Sequence, residues 1–147
     1  MKDKNNLISY NDWTCGDYTG EYDLTTSANV TCKVSPEYST IGEHSFHIIN
    51  KNAYSNSQCR YSSMTAGKTY IITADIRVDK QSSFVLKERN SSGDATYSVN
   101  IPADDNWNTY VLTCTVRSGS TRLDWFVEPK VVGTNVFIDN MRLVESS

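Results

Sequence analysis

The stretch Asn135-Val136-Phe137-Ile138-Asp139-Asn140-Met141-Arg142-Leu143-Val144-Glu145 decides how this chain is read. Apolar residues alternate along it with a period of two, as in a strand with one face in a core. Asp139 and Asn140 interrupt the apolar run in mid-strand. An acid in a buried strand is costly unless a cation or hydrogen bonds compensate it. Asp139 is therefore expected to have a specific partner.

The same period recurs outward from this stretch. In 70–78, Tyr70, Ile72, Ala74, Ile76 and Val78 share one face, and Ile71, Thr73, Asp75 and Arg77 the other. Further alternating runs lie at 30–34, 45–49, 83–89, 97–101, 110–116 and 123–128. Turn-forming clusters separate them, among them Thr40-Ile41-Gly42, Ala66-Gly67-Lys68, Ser91-Ser92-Gly93-Asp94, Ser118-Gly119-Ser120 and Val132-Gly133-Thr134. No stretch carries a helical period. Short strands at this spacing predict an all-β sandwich or barrel.

With 147 residues and no linker or repeat, residues 1–147 read as one domain with one core. The net charge of -3 gives no electrostatic footprint for nucleic acid. No run is apolar enough for membrane insertion by a helix. The polar start, Met1 to Asn6, lacks a signal-peptide core. The expectation is a domain that is covalently part of a larger exported protein. The wealth of Tyr, Ser, Thr and Asn and the sequons at Asn29 and Asn90 agree with an extracellular or cell-surface location. The cysteines Cys15, Cys32, Cys59 and Cys114 form no CxxC pair, which argues against zinc. Disulfides remain open in three pairings, and Cys114, in an alternating run, reads as a small buried hydrophobe.

Five pieces occur in order: Asn6-Leu7-Ile8 followed by Trp13; Gly42-Glu43-His44-Ser45-Phe46-His47-Ile48; Ala66-Gly67-Lys68-Thr69-Tyr70-Ile71-Ile72; Trp107-Asn108-Thr109-Tyr110; and Phe137-Ile138-Asp139-Asn140. Together they resemble the jelly-roll carbohydrate-binding modules of families four, nine and twenty-two, within the galactose-binding-like superfold. The resemblance covers almost the whole chain. It implies a jelly-roll β-sandwich of two antiparallel sheets and a non-catalytic module that holds its parent protein to a polysaccharide or cell-surface glycan. Family twenty-two offers a residue-level match. Its hydroxyl-reading glutamate corresponds to Glu128 in Trp125-Phe126-Val127-Glu128-Pro129, and its aromatic platforms to Tyr54 and Tyr97. Its N-terminal arginine has no counterpart here, since no Arg precedes Arg60.

Sugars are held by stacking a pyranose face on an aromatic ring while planar polar groups read the hydroxyls. Tyr54, Tyr61, Tyr97 and Glu128, with Gln58, Arg60, Arg77 and Lys87, are the residues expected to build such a surface. The competing reading of each tyrosine is a place at the core edge. Trp107 and Trp125 are assigned to the core. The resemblance also implies a structural calcium at Asp139, with Asp12 or Glu43 as a second carboxylate. The alternative for Asp139 is a set of backbone hydrogen bonds and no ion.

Two other functions are compatible with the sequence. One is a structural or interaction domain of a surface adhesin or phage tail protein, with no sugar site. The other is a glycan-processing enzyme, which needs two acids opposed across a cleft; Asp75, Asp124 and Glu128 are the acids available to it. His44 and His47 are three apart in a strand start, so they point to opposite faces and make no paired site.

Overall fold

The computed structural model describes residues 6–7, 30–50 and 59–146. Among them the chain forms nine strands: β1 (Val30–Ser35), β2 (Ser45–Asn50), β3 (Cys59–Tyr61), β4 (Thr69–Val78), β5 (Ser82–Asn90), β6 (Ala95–Ile101), β7 (Asn108–Thr115), β8 (Ser120–Pro129) and β9 (Asn135–Ser146). They pair antiparallel in two sheets, a five-stranded one ordered β1-β2-β9-β4-β7 and a four-stranded one ordered β3-β8-β5-β6. This is the expected all-β sandwich. Eight of the strands coincide with the alternating runs. The ninth, β3, was not among them.

The core lies between the sheets. Tyr70, Ile72, Ala74, Ile76 and Val78 of β4 meet Phe84 and Leu86 of β5 and Leu123, Trp125 and Val127 of β8, all buried. Removing such side chains from water is the main stabilising term of the fold. Trp125 is fully buried and its indole N–H points to Met141 Sδ at 3.0 Å. Trp107, assigned to the core from sequence, is only half-buried and stands just before β7. Its place at a strand mouth keeps it out of the sandwich interior. Cys59 and Cys114 are buried, and the Cys59 thiol donates to Met141 Sδ at 3.5 Å. The sequon residue Asn90 is buried too, and its side-chain amide donates to Ser118 O at 2.9 Å and Ser120 Oγ at 3.0 Å.

A bulge shapes β9. The register with β4 slips between Thr73 and Asp75, and Asn140 takes a left-handed φ of 48°. Asn tolerates that conformation better than most side chains. The extra residue switches the inward set from Val136 and Ile138 to Met141 and Leu143. Beyond Ile138, where pairing with β2 stops, Asn6 and Leu7 take over. Leu7 N–H donates to Leu143 O at 2.7 Å, and Asn6 Oδ1 accepts from Leu143 N–H at 2.9 Å.

The loop 36–44 folds back over the outer face of the five-stranded sheet. Asp139 and Asp75 are Cα partners there, and both are buried. Thr40 and Ile41 donate their peptide N–H groups to Asp139 Oδ2 at 2.7 and 3.0 Å, and Asn140 N–H donates to Oδ1 at 2.8 Å. Asp75 accepts from Thr109 Oγ1 at 2.6 Å and Thr40 Oγ1 at 2.8 Å. Calcium takes lone-pair oxygens. The donors around Asp139 are N–H and O–H groups, the hydrogen-bonded arrangement given above as the alternative to calcium. Glu43 is exposed in the loop, and Asp12 lies outside the described residues. Among the described residues, no three acidic, histidine or cysteine side chains form a metal cluster.

Candidate functional site

Cross-strand register decides which predicted residues can work together. On the four-stranded sheet, Arg60 of β3 pairs with Asp124 of β8, which pairs with Lys87 of β5, which pairs with Thr96 of β6. Residues two apart share a face, so this row is flanked by Phe126, Val85 and Ser98 and then by Glu128, Ser83 and Asn100. On the other side stand Arg122 and Arg89. All of these point away from the core residues Leu123, Trp125 and Val127. Arg60, Lys87 and Glu128, three residues picked out from sequence, thus meet on one outer face.

The others do not join them. Tyr97 pairs with Leu86 and shares its face with Val99 and Ile101, so its ring packs against the core beside Cys114. Burial pushes the Tyr97 hydroxyl up in pKa, aided by the Cys114 thiol. Tyr61 also turns inward, with its ring 6.0 Å from that of Tyr70. Arg77 belongs to the other sheet. Its guanidinium lies 3.6 Å over the Tyr38 ring and its Nε donates to Asp105 at 2.9 Å. Tyr97, Tyr61 and Arg77 are therefore placed away from the Glu128 face, the tyrosines by strand parity and Arg77 by sheet. Tyr54 and Gln58 lie outside the described residues.

The polar centre of the face is Asp124, whose side chain is 0% exposed. Arg89 Nε donates to its Oδ2 at 2.8 Å and Arg122 Nε at 2.9 Å, while Arg60 Nε stands 3.4 Å from Oδ1. Arg89 is also tied to Asp94 by Nη1 at 2.9 Å. A buried charge needs such partners to be tolerated. The Asp124 hydrogen bond, with that of Asp94, raises the Arg89 pKa above its ordinary value. Sequence reading selected Arg60 but missed Arg89 and Arg122, which are isolated charges on two strands until the register joins them. One signal was present, the Arg122-x-Asp124 pair, which puts both on one strand face.

Glu128 is half-exposed and 3.4 Å from Lys130 Nζ. Its carboxylate oxygens can accept hydroxyl hydrogen bonds. Asp124 is on the same strand and face as Glu128, and Asp75 is on the opposite sheet. The three acids form no opposed pair across a cleft, the arrangement that glycoside hydrolysis requires.

No family model matches the sequence, and no curated protein matches it. Solved structures share its fold. The C-terminal family 22 carbohydrate-binding module of Clostridium thermocellum Xyn10B, whose conserved cleft residues act in ligand binding, aligns with a TM-score of 0.73 at 17% identity over 98% of this chain and 96% of that one. A family 16 carbohydrate-binding module aligns at 0.67 and 12% identity, covering 95% and 99%. The enzymatically active domain of bacteriophage CBA120 tailspike protein 4 aligns at 0.63 and 16% identity. There, 83% of this chain is covered but only 18% of that one. These likenesses are of fold, and they establish the jelly-roll sandwich expected from the sequence.

Proposed function

We propose that the chain is a non-catalytic glycan-binding module, acting as one part of a larger exported or cell-surface protein. The sugar chain lies across the outer face of the four-stranded sheet. Glu128 accepts hydroxyl hydrogen bonds and Arg60 donates them, with Lys87 beside Arg60. One observation carries this reading: the register brings these three side chains to one face of a sandwich shared with modules that bind polysaccharides such as xylan. Tyr54 stays the expected stacking platform. Contacts from Arg60, Lys87 and Glu128 cover only part of each sugar, so binding to a single site is modest.

The test is a panel of plant, bacterial and host polysaccharides offered to the folded protein, read by affinity electrophoresis. Retardation by one class supports the reading. Free migration through every polysaccharide, by a sample with a cooperative melt, removes it.

The tailspike likeness favours a second reading, a structural module of a phage tail protein. That reading predicts stable oligomers of the chain in solution and no retardation by any glycan.

A further inference from the structure

The basic cluster on the outer face carries more positive charge than its own carboxylates neutralise. Arg60, Arg89 and Arg122 all hold Asp124, and Arg89 also holds Asp94. Lys87, the Cα partner of Asp124, points to the same face; among the described residues it makes no hydrogen bond or close ion pair, though its charge acts on Asp94. Four cations thus meet two carboxylates, on a chain whose overall charge is -3. Glu128 is four residues further along β8, roughly 13 Å at strand spacing, and has Lys130 beside it.

The donor inventory points the same way. A guanidinium presents five N–H groups, and one paired face-on with a carboxylate uses two of them. Here Arg60 and Arg122 meet Asp124 only through Nε. Their Nη groups have no partner among the described residues, and their side chains are 40% and 39% exposed. Asp124 is fully buried beneath them, so it fixes three guanidiniums in place without occupying them. Its Oδ1 has no hydrogen-bond partner, with Arg60 Nε 3.4 Å away. A single buried acid needs fewer cations than this. Fixed, partly exposed guanidiniums with spare paired donors are suited to a planar or tetrahedral oxyanion.

We infer that the glycan bound at this face is anionic, and that Arg60, Arg122 and Lys87 receive its carboxylate or sulfate groups. This inference rests on the glycan-binding reading above and adds the chemical class of the ligand. Carboxylate and sulfate share the recognition chemistry, so the test must separate them.

The experiment is calorimetric titration of the folded chain with polygalacturonate, heparin and neutral xylan. The expected result is binding of one polyanion about tenfold tighter than of neutral xylan, weakening as salt is raised. Preference for polygalacturonate assigns carboxylate, and preference for heparin assigns sulfate. Arg122→Gln and Lys87→Gln should each weaken polyanion binding about fivefold, and Arg122→Gln should leave xylan binding within about twofold. If Arg122→Gln disturbs the fold, Lys87→Gln decides alone, because its ammonium makes no hydrogen bond or close ion pair among the described residues. Equal or tighter binding of neutral xylan, or polyanion affinity unchanged in Lys87→Gln, overturns the anionic inference and leaves the glycan reading standing. No binding to any of the three overturns the anionic inference, and the polysaccharide panel above then decides the glycan reading.

Discussion

The peptide N–H of Thr40 donates to Asp139 Oδ2 at 2.7 Å, across 99 residues of chain. This bond, with those from Ile41 and Asn140, fastens the loop after β1 to the strand that closes the fold. Burial pushes the Asp139 carboxyl above the ordinary aspartate range, against the pull of the three backbone N–H groups.

Asp139→Ala leaves the part-buried N–H groups of Thr40 and Ile41 without their acceptor and should cost about 2 kcal/mol. Urea unfolding measures this directly. A chelator should leave the melting temperature of the wild type unchanged, because the carboxylate is held by N–H donors. A fall on chelation would instead reveal a calcium ion and bring Asp12 back into consideration.

The raised pKa of Asp139 has a definite sign. A group of this kind stabilises the native state fully below its unfolded pKa, and that contribution is lost as pH rises through the folded value. The wild type should therefore gain stability relative to Asp139→Asn as pH falls from neutral toward the ordinary aspartate range. Melting curves of both proteins across that window test it, and parallel curves would contradict it.

Glu88 behaves in the opposite way. Burial pushes its carboxyl up, but hydrogen bonds from Ser120 Oγ at 2.6 Å and from Arg117 N and Nε at 2.7 and 2.9 Å outweigh it, so its pKa lies below the ordinary value. Its contribution is present above the unfolded glutamate pKa and is lost as pH falls through the folded one. Glu88→Gln should be less stable than the wild type at neutral pH, with the gap closing in strong acid. Denaturant titrations at the two pH extremes check this.

Glu128→Ala should weaken polysaccharide binding about tenfold, with a stability change within about 0.5 kcal/mol. Tyr54→Ala should weaken it as well if that ring is the platform. Tyr97→Phe should leave binding untouched, because its ring packs against the core from the opposite face of β6. Equal losses in Glu128→Ala and Tyr97→Phe would show that the face assignment is wrong.

Much of the fold was legible because burial enforces periodicity. The inward face of β4 was readable to the residue, and Tyr97 could have been assigned inward from its parity with Ile101. Other features carry no periodic signal. Cys59-Arg60-Tyr61 is too short to show alternation, so β3 went unread. The bulge at Asn140 inverts the facing of everything after it, and only the pairing of β4 with β9 exposes it. The arginine cluster was hidden for a related reason. Arg89 and Asp124 are 35 residues apart, and nothing in either local stretch announces the other. The sequence reading of Arg77 as a partner of Glu128 failed because outward parity alone does not tell which sheet is involved.

The order β1-β2-β9-β4-β7 puts the strand with the latest residues between strands formed much earlier. As the chain is synthesised, the β1-β2 hairpin and the β4-β7 pair have no shared partner among the described strands until residues 135–146 emerge. Such long-range closure is slow and brings its reward only at the end. Loss of this last segment would divide one sheet into two strand pairs with exposed edges, each a template for pairing with a neighbouring molecule. The sandwich is thus completed by its final piece, and a nascent or shortened chain stays vulnerable to self-association until that strand docks.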